Sequence, residues 1–148
     1  MKKFIAVSLV AIASGFSTAA ISAGEFGSAA EAKAMLEKAV VAVKANKATA
    51  LGQFAKGEGG FRDRDLYPVC GGPDGNFSAH PSLTGKSMKD LMSKANEPIG
   101  AKLYEAAKEG SIAEVPYMWP RPGTTEPVQK LSYVTKIGDQ VCAVGYYK

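Results

Sequence analysis

The distribution of apolar positions divides the chain into an N-terminal half of helical period and a C-terminal half of strand period. After an apolar run over residues 4–21, Met35, Leu36, Ala39, Val40, Val43, Leu51 and Phe54 recur at helical spacing, with lysines at 33, 38, 44, 47 and 56 on the wetter side. Ser28 and Glu31 have the spacing of a capping box ahead of this stripe, and Gly57, Gly59 and Gly60 stop it. The pattern predicts one helix over residues 29–56, about 42 Å long at 1.5 Å per residue. That exceeds the diameter of so small a domain. Part of the stripe is therefore expected to cross a sheet edge or pair with another chain.

Beyond Gly60 the segments are short. Residues 66–70 and 77–80 flank Pro73-Asp74-Gly75, which is strong turn chemistry, and read as a hairpin. Residues 87–91 and 100–108 read as short helices, the second with Leu103 and Ala106 on its apolar side. Three strands follow, over residues 112–119, 130–137 and 141–147, the last two joined through Gly138-Asp139. A long helix, two strands, two short helices and a three-strand meander define an α+β plan on one antiparallel sheet of about five strands.

Charge changes meaning once the N-terminus is considered. The whole chain has 148 residues and a formal charge of +4. Lys2 and Lys3, the apolar run and the small residues near Ala23 have the layout of a secretory signal peptide. Removing residues 1–23 takes away two lysines and no acidic residue, leaving 125 residues with a charge of +2. The expectation is an exported, periplasmic, one-domain protein, residues 24–148. The competing reading of the run is an uncleaved membrane anchor. A charge of +2 with no basic stripe disfavours nucleic acid as a partner.

Export bears on Cys70 and Cys142, since an oxidising compartment favours their pairing. The bond would close a loop of about 73 residues, restricting the unfolded chain by about 4 kcal/mol. The alternative is two buried free thiols. No CxxC or Cys/His cluster is present, and the chain has one histidine, so neither a metal nor a cofactor is expected. There is no GxSxG elbow and no nucleophile with an evident base, which disfavours an enzyme.

Several side chains could carry binding chemistry. Tyr117 and Trp119, two apart on a strand, face one side of the sheet and suit either a ligand pocket or an aromatic core pair. Lys130 opens the next strand, where a lysine is ordinarily a solvated edge charge but inside a pocket meets a carboxylate. Ser132 shares its face and Tyr133 lies opposite. His80, held extended by Pro81, is a structural side chain or a donor to a carboxylate that binds more tightly once protonated below pH 6 to 7. Tyr67 is a further candidate of the same kind. In Arg62-Asp63-Arg64-Asp65, an anion site and a calcium loop compete with a salt-bridged strand edge whose arginines share one face. The default is the edge.

Taken in order, Leu66-Tyr67, Asp74-Gly75-Asn76, Ala79-His80-Pro81, Gly85, Tyr117-Met118-Trp119-Pro120, Lys130-Leu131-Ser132-Tyr133-Val134 and Gly145-Tyr146-Tyr147 resemble an extracellular single Cache domain of the second type. The resemblance covers roughly residues 28–148. It implies a PAS-like sheet behind a long N-terminal helix, and a pocket for small ligands such as acetate, propionate, lactate or pyruvate. It also favours pocket roles for Tyr117, Trp119, Lys130 and His80. Most members sit between two membrane helices of chemoreceptors or kinases. A removable signal and no second apolar span point instead to a free-standing binder that presents a short carboxylate to a separate receptor or sensor kinase. The alternative is an accessory protein whose long helix dimerises or docks on a membrane receptor without binding a ligand.

Overall fold

In the computed structural model, residues 24–148 are described; the expected signal peptide, residues 1–23, lies outside them. The N-terminal stripe forms two helices, α1 (Ala29–Ala45) and α2 (Lys47–Lys56), in place of the single helix expected from periodicity. Asn46 breaks it. With φ −158° and ψ 98°, it ends α1 and caps α2, its Oδ1 accepting from the Thr49 amide at 3.0 Å. The segments are about 25 Å and 15 Å long, so the excess length that argued for an external partner disappears. The capping box at Ser28 and Glu31 is formed in both directions, and Gly57 closes α2 in the left-handed conformation, φ 71°.

The sheet has five antiparallel strands, β1 (Pro68–Gly71), β2 (Phe77–Ala79), β3 (Ala113–Pro120), β4 (Pro127–Ile137) and β5 (Gln140–Tyr147), in the order β2-β1-β5-β4-β3. This is the expected α+β, PAS-like architecture. The last strand enters the centre, so β1 becomes a neighbour of the C-terminus. Helix α3 (Ile99–Ala106) precedes β3. The short helix expected over residues 87–91 is absent. Ser87 and Asp90 exchange the hydrogen bonds of a helix start, but the chain makes only a turn there. A one-turn cap without a following apolar stripe does not propagate.

The two faces of the sheet differ. On one, Leu36, Ala39 and Val43 of α1 and Phe54 of α2 pack on Cys70, Cys142 and Val144. Cys70 and Cys142 are register partners of β1 and β5, 4.1 Å apart at Cα, and form a disulfide. The free-thiol alternative is thereby removed. On the other face, α3 and the segment after β2 cover Val115, Val134, Val141 and Ala143 with Phe77, Met88, Ile99 and Leu103. This second layer stops short of the sheet end that carries Tyr117, Lys130 and Gly145, where a cavity remains.

Arg62 to Asp65 does not form a strand edge with alternating faces. Arg64 has φ +53°, and Asp63 pairs back to Leu66 across a tight turn. Arg64 binds Glu31, Asp63 and the carbonyls of Gly24 and Phe26, while the buried Asp65 carboxylate accepts from the Gly27 amide at 2.7 Å. The turn fastens the segment leading into α1. Arg62 points elsewhere, over the Tyr67 ring at 5.9 Å.

Candidate functional site

The cavity between the sheet end and its covering segment is about 30 Å³, the scale of a water molecule or a small head group. Tyr67, His80, Tyr117, Trp119 and Lys130, the five side chains singled out from the sequence, all line it. They come from four parts of the chain. Alternation puts Tyr117 and Trp119 on the same face of β3, and register sets Lys130 opposite Tyr117 and Tyr147. Tyr67 immediately precedes β1, and His80 follows β2.

Lys130 reaches this position because of Gly145. A Cβ at that position would collide with Lys130 Cε, and would stand 2.5 Å from Ser132 Oγ. Without one, the lysine crosses over β5 towards β1. Its Nζ donates to Tyr67 Oη at 3.2 Å and to Tyr147 Oη at 3.4 Å, and stands 4.6 Å and 4.8 Å from the two ring centroids. Tyr147 in turn donates to the Pro120 carbonyl at 2.8 Å, so its oxygen is turned to accept from the ammonium. Lys130 is 5% exposed. Residues 1–23 contain no acidic residue, and among the described residues no carboxylate forms an ion pair with Lys130. A buried cation ordinarily has an anionic partner; here three phenols stand in its place.

These phenols keep the lysine charged. Burial alone pulls its pKa down, but the oxygens of Tyr117, Tyr67 and Tyr147 outweigh that and hold it above the ordinary lysine range. Burial likewise pushes the Tyr147 phenol above its usual value, although Lys130 draws it down. The result is a charged lysine held beside phenol oxygens. Tyr117 also exchanges a 2.8 Å hydrogen bond with Ser132, which steadies both hydroxyls beside the cavity.

Of the two donor states open to His80, neutral and protonated below pH 6 to 7, its surroundings favour the neutral one. Burial, then the charges of Lys130 and Arg62, lower its pKa from 6.5 to about 4. Its Nδ1 accepts from the amides of Ser82 at 3.0 Å and Leu83 at 3.1 Å. The ring is therefore neutral at physiological pH, with its proton on Nε2. Thr84 fixes the backbone around it by bonding both the amide and the carbonyl of His80.

Tyr147 was not among the sequence candidates, although it lies in the Gly145-Tyr146-Tyr147 segment. Its signal is the two-residue Gly138-Asp139 turn, whose register, counted back from Ile137 and Gln140, sets Tyr147 and not Tyr146 opposite Lys130. Tyr146 stacks with Tyr133 on the helix-covered face, 6.1 Å between centroids.

The fold and this cavity define a PAS-like sensor-type domain, with α1 and α2 on one face of the sheet and, on the other, a small cavity beside α3 whose mainly apolar lining carries a few polar groups. Residues 65–147 match the profile of the Cache domain, and the chain belongs to that family. Among solved structures, a methyl-accepting chemotaxis protein from Vibrio parahaemolyticus RIMD 2210633 is similar at 26% identity and a TM-score of 0.65, over 80% of this chain and 86% of that one. A periplasmic sensor domain of a chemotaxis protein shares the fold at 21% identity and a TM-score of 0.60, over 78% of this chain and 87% of that one. So does a Cache chemosensory domain described for carboxylic acid recognition, at 20% identity and a TM-score of 0.54, over 78% and 85% of the two chains. No curated protein matches the sequence. Cache domains are extracellular or periplasmic sensor modules, and no helix among the described residues is long and apolar enough to cross a membrane.

Proposed function

We propose that the protein is an exported, non-enzymatic sensor module that binds a small organic anion through its carboxylate. The observation that carries this reading is Lys130, a buried ammonium surrounded by phenols and without a carboxylate partner. Such a group is costly to desolvate, and an incoming carboxylate supplies the missing charge. The Nε2–H of His80 provides a neutral donor beside it, and the Tyr117 and Trp119 rings form the apolar wall.

The cavity's size favours short acids such as acetate, propionate, lactate or pyruvate over bulky ones. One domain of the same fold is described for carboxylic acid recognition, but at 20% identity that likeness speaks for the fold. The ligand reading rests on Lys130. A bound ligand would be passed on as a signal through a separate membrane receptor or sensor kinase.

Thermal-shift titration of the purified protein, without residues 1–23, against a panel of short carboxylates tests the proposal. At least one acid is expected to raise the melting temperature at millimolar concentration. A panel that leaves it unchanged sinks the carboxylate assignment.

A further inference from the structure

A second chamber, of about 250 Å³, adjoins the inner cavity and shares Tyr67, His80 and Trp119 with it as common walls. Its far side carries Arg62 and Arg121. Arg62 is exposed and, among the described residues, forms no ion pair. It lies over the same Tyr67 ring that Lys130 approaches, at 5.9 Å against 4.6 Å for the ammonium. One aromatic ring thus has a cation from each chamber.

Arg121 is held differently. Its guanidinium lies 4.2 Å from the Phe26 ring centroid and 5.1 Å from that of Tyr147, which fixes its plane. Its Nε is buried without a hydrogen-bond partner, and so is Asp65 Oδ2, 3.6 Å away. Asp65 offsets part of this charge from outside the chamber's lining. Across the joined chambers, Lys130, Arg62 and Arg121 stand against Asp65 alone. A monoanion at Lys130 leaves positive charge uncompensated in the outer chamber; a dianion does not.

Size points the same way. The inner cavity accepts a short acid and little more, and of its two neighbouring openings the one past Tyr67, His80 and Trp119 carries two arginines and no carboxylate in its lining, whereas the one past Tyr117 and Lys130 carries Glu97, which repels an anion. We propose that the preferred ligand is a small dianion, with one carboxylate at Lys130 and a second anionic group, carboxylate or phosphate-like, held by Arg62 and Arg121. The carbon chain runs between Tyr67 and Trp119. The inference depends on Lys130 being the carboxylate anchor and goes beyond it by assigning the outer chamber.

Calorimetry with ligands matched in length separates the two ideas. Succinate is compared with butyrate, glutarate with valerate, and a phosphonocarboxylate with the corresponding monoacid. The dianions are expected to bind at least about tenfold more tightly than their monoanionic partners, the scale of one charge-assisted contact. Success of the dicarboxylates alone, or of the phosphonate alone, identifies which second group fits. The Arg62→Gln variant, changed at an exposed position, is expected to narrow the gap between succinate and butyrate, and Arg121→Gln to narrow it further. Equal affinities within each pair, or a gap that survives both substitutions, overturns the dianion proposal while leaving the Lys130 anchor standing. If neither monoanions nor dianions bind, the anchor fails and the outer subsite fails with it.

Discussion

Lys130 and Tyr147 are register partners on β4 and β5, with the ammonium 3.4 Å from the phenol oxygen and 4.8 Å from the ring centroid. The pair joins the edge of the cavity to the Pro120 carbonyl at the end of β3. Its stability depends on keeping a desolvated charge content with phenol oxygens, an arrangement weaker than a carboxylate partner would give.

Replacing Lys130 by methionine keeps much of the side-chain volume and removes that charge. Lys130→Met is expected to melt at or above the wild-type temperature in the absence of ligand. Its affinity for whichever acid the wild type binds should fall roughly tenfold to a hundredfold, on the order of 1.5–3 kcal/mol for a hydrogen bond to a charged group. Paired thermal melts and calorimetry check both parts. Unchanged affinity would remove Lys130 from the site.

Gly145 is the gap across which the lysine extends. In Gly145→Ala the new methyl collides with Lys130 Cε and crowds Ser132 Oγ. The expected cost is about 1–3 kcal/mol, as for other overpacking changes. Chemical denaturation measures it, and acid binding should weaken in the same protein because Lys130 is displaced. Wild-type stability together with wild-type affinity would contradict the role given to this glycine.

The His80 ring gives the fold a pH signature. Its pKa is near 4 when folded and 6.5 when exposed, so between those values the unfolded chain binds the extra proton. Stability from this group is complete above pH 6.5, falls as the pH drops towards 4, and levels off below. The amount is about 3 kcal/mol. Urea melts at intervals from pH 7 to 5 should show the decline, and His80→Gln should flatten it in that range. A ring titrating near 6.5 by NMR in the folded, ligand-free protein would refute the burial argument.

Breaking the cross-strand disulfide releases the 72-residue separation between Cys70 and Cys142. The Cys70→Ala/Cys142→Ala protein is expected to lose about 4 kcal/mol of stability by the chain-entropy account. Calorimetric melting of the two proteins side by side gives the difference. Because the bond lies on the helix-covered face, acid affinity measured below the melting range should change little.

How far the sequence reveals this molecule depends on the range of each interaction. Strand alternation separates Tyr117 and Trp119 from Met118, and Ser132 from Tyr133, because these are local facts of the pleat. The insertion of β5 between β1 and β4 is not local. It alone brings Tyr67 to the lysine, and no spacing along the chain encodes it, whereas Tyr147 arrives opposite Lys130 through the local register of the Gly138-Asp139 hairpin. Asn46 shows the opposite failure. Val43, Ala50 and Phe54 keep their phase across it, so periodicity conceals a break that the asparagine's capping preference announces. At Ser87 and Asp90, local capping chemistry is present and the helix is missing, for want of a buried stripe to propagate it. Which of its two protonation states His80 takes is not legible in the sequence for a related reason: burial and the two amides at Nδ1 belong to the folded loop.

The opposition of the two sheet faces bears on how such a protein changes over evolutionary time. Helices α1 and α2 and the disulfide secure one face, while the cavity lies on the other, near the end of the sheet. Under the proposed function, substitutions at Arg62, Trp119 or Arg121 would alter what is recognised while leaving the core beneath α1 and α2 untouched. On that reading, a lineage could exchange one small anion for another by drifting through neighbouring sequences, each of them still folded.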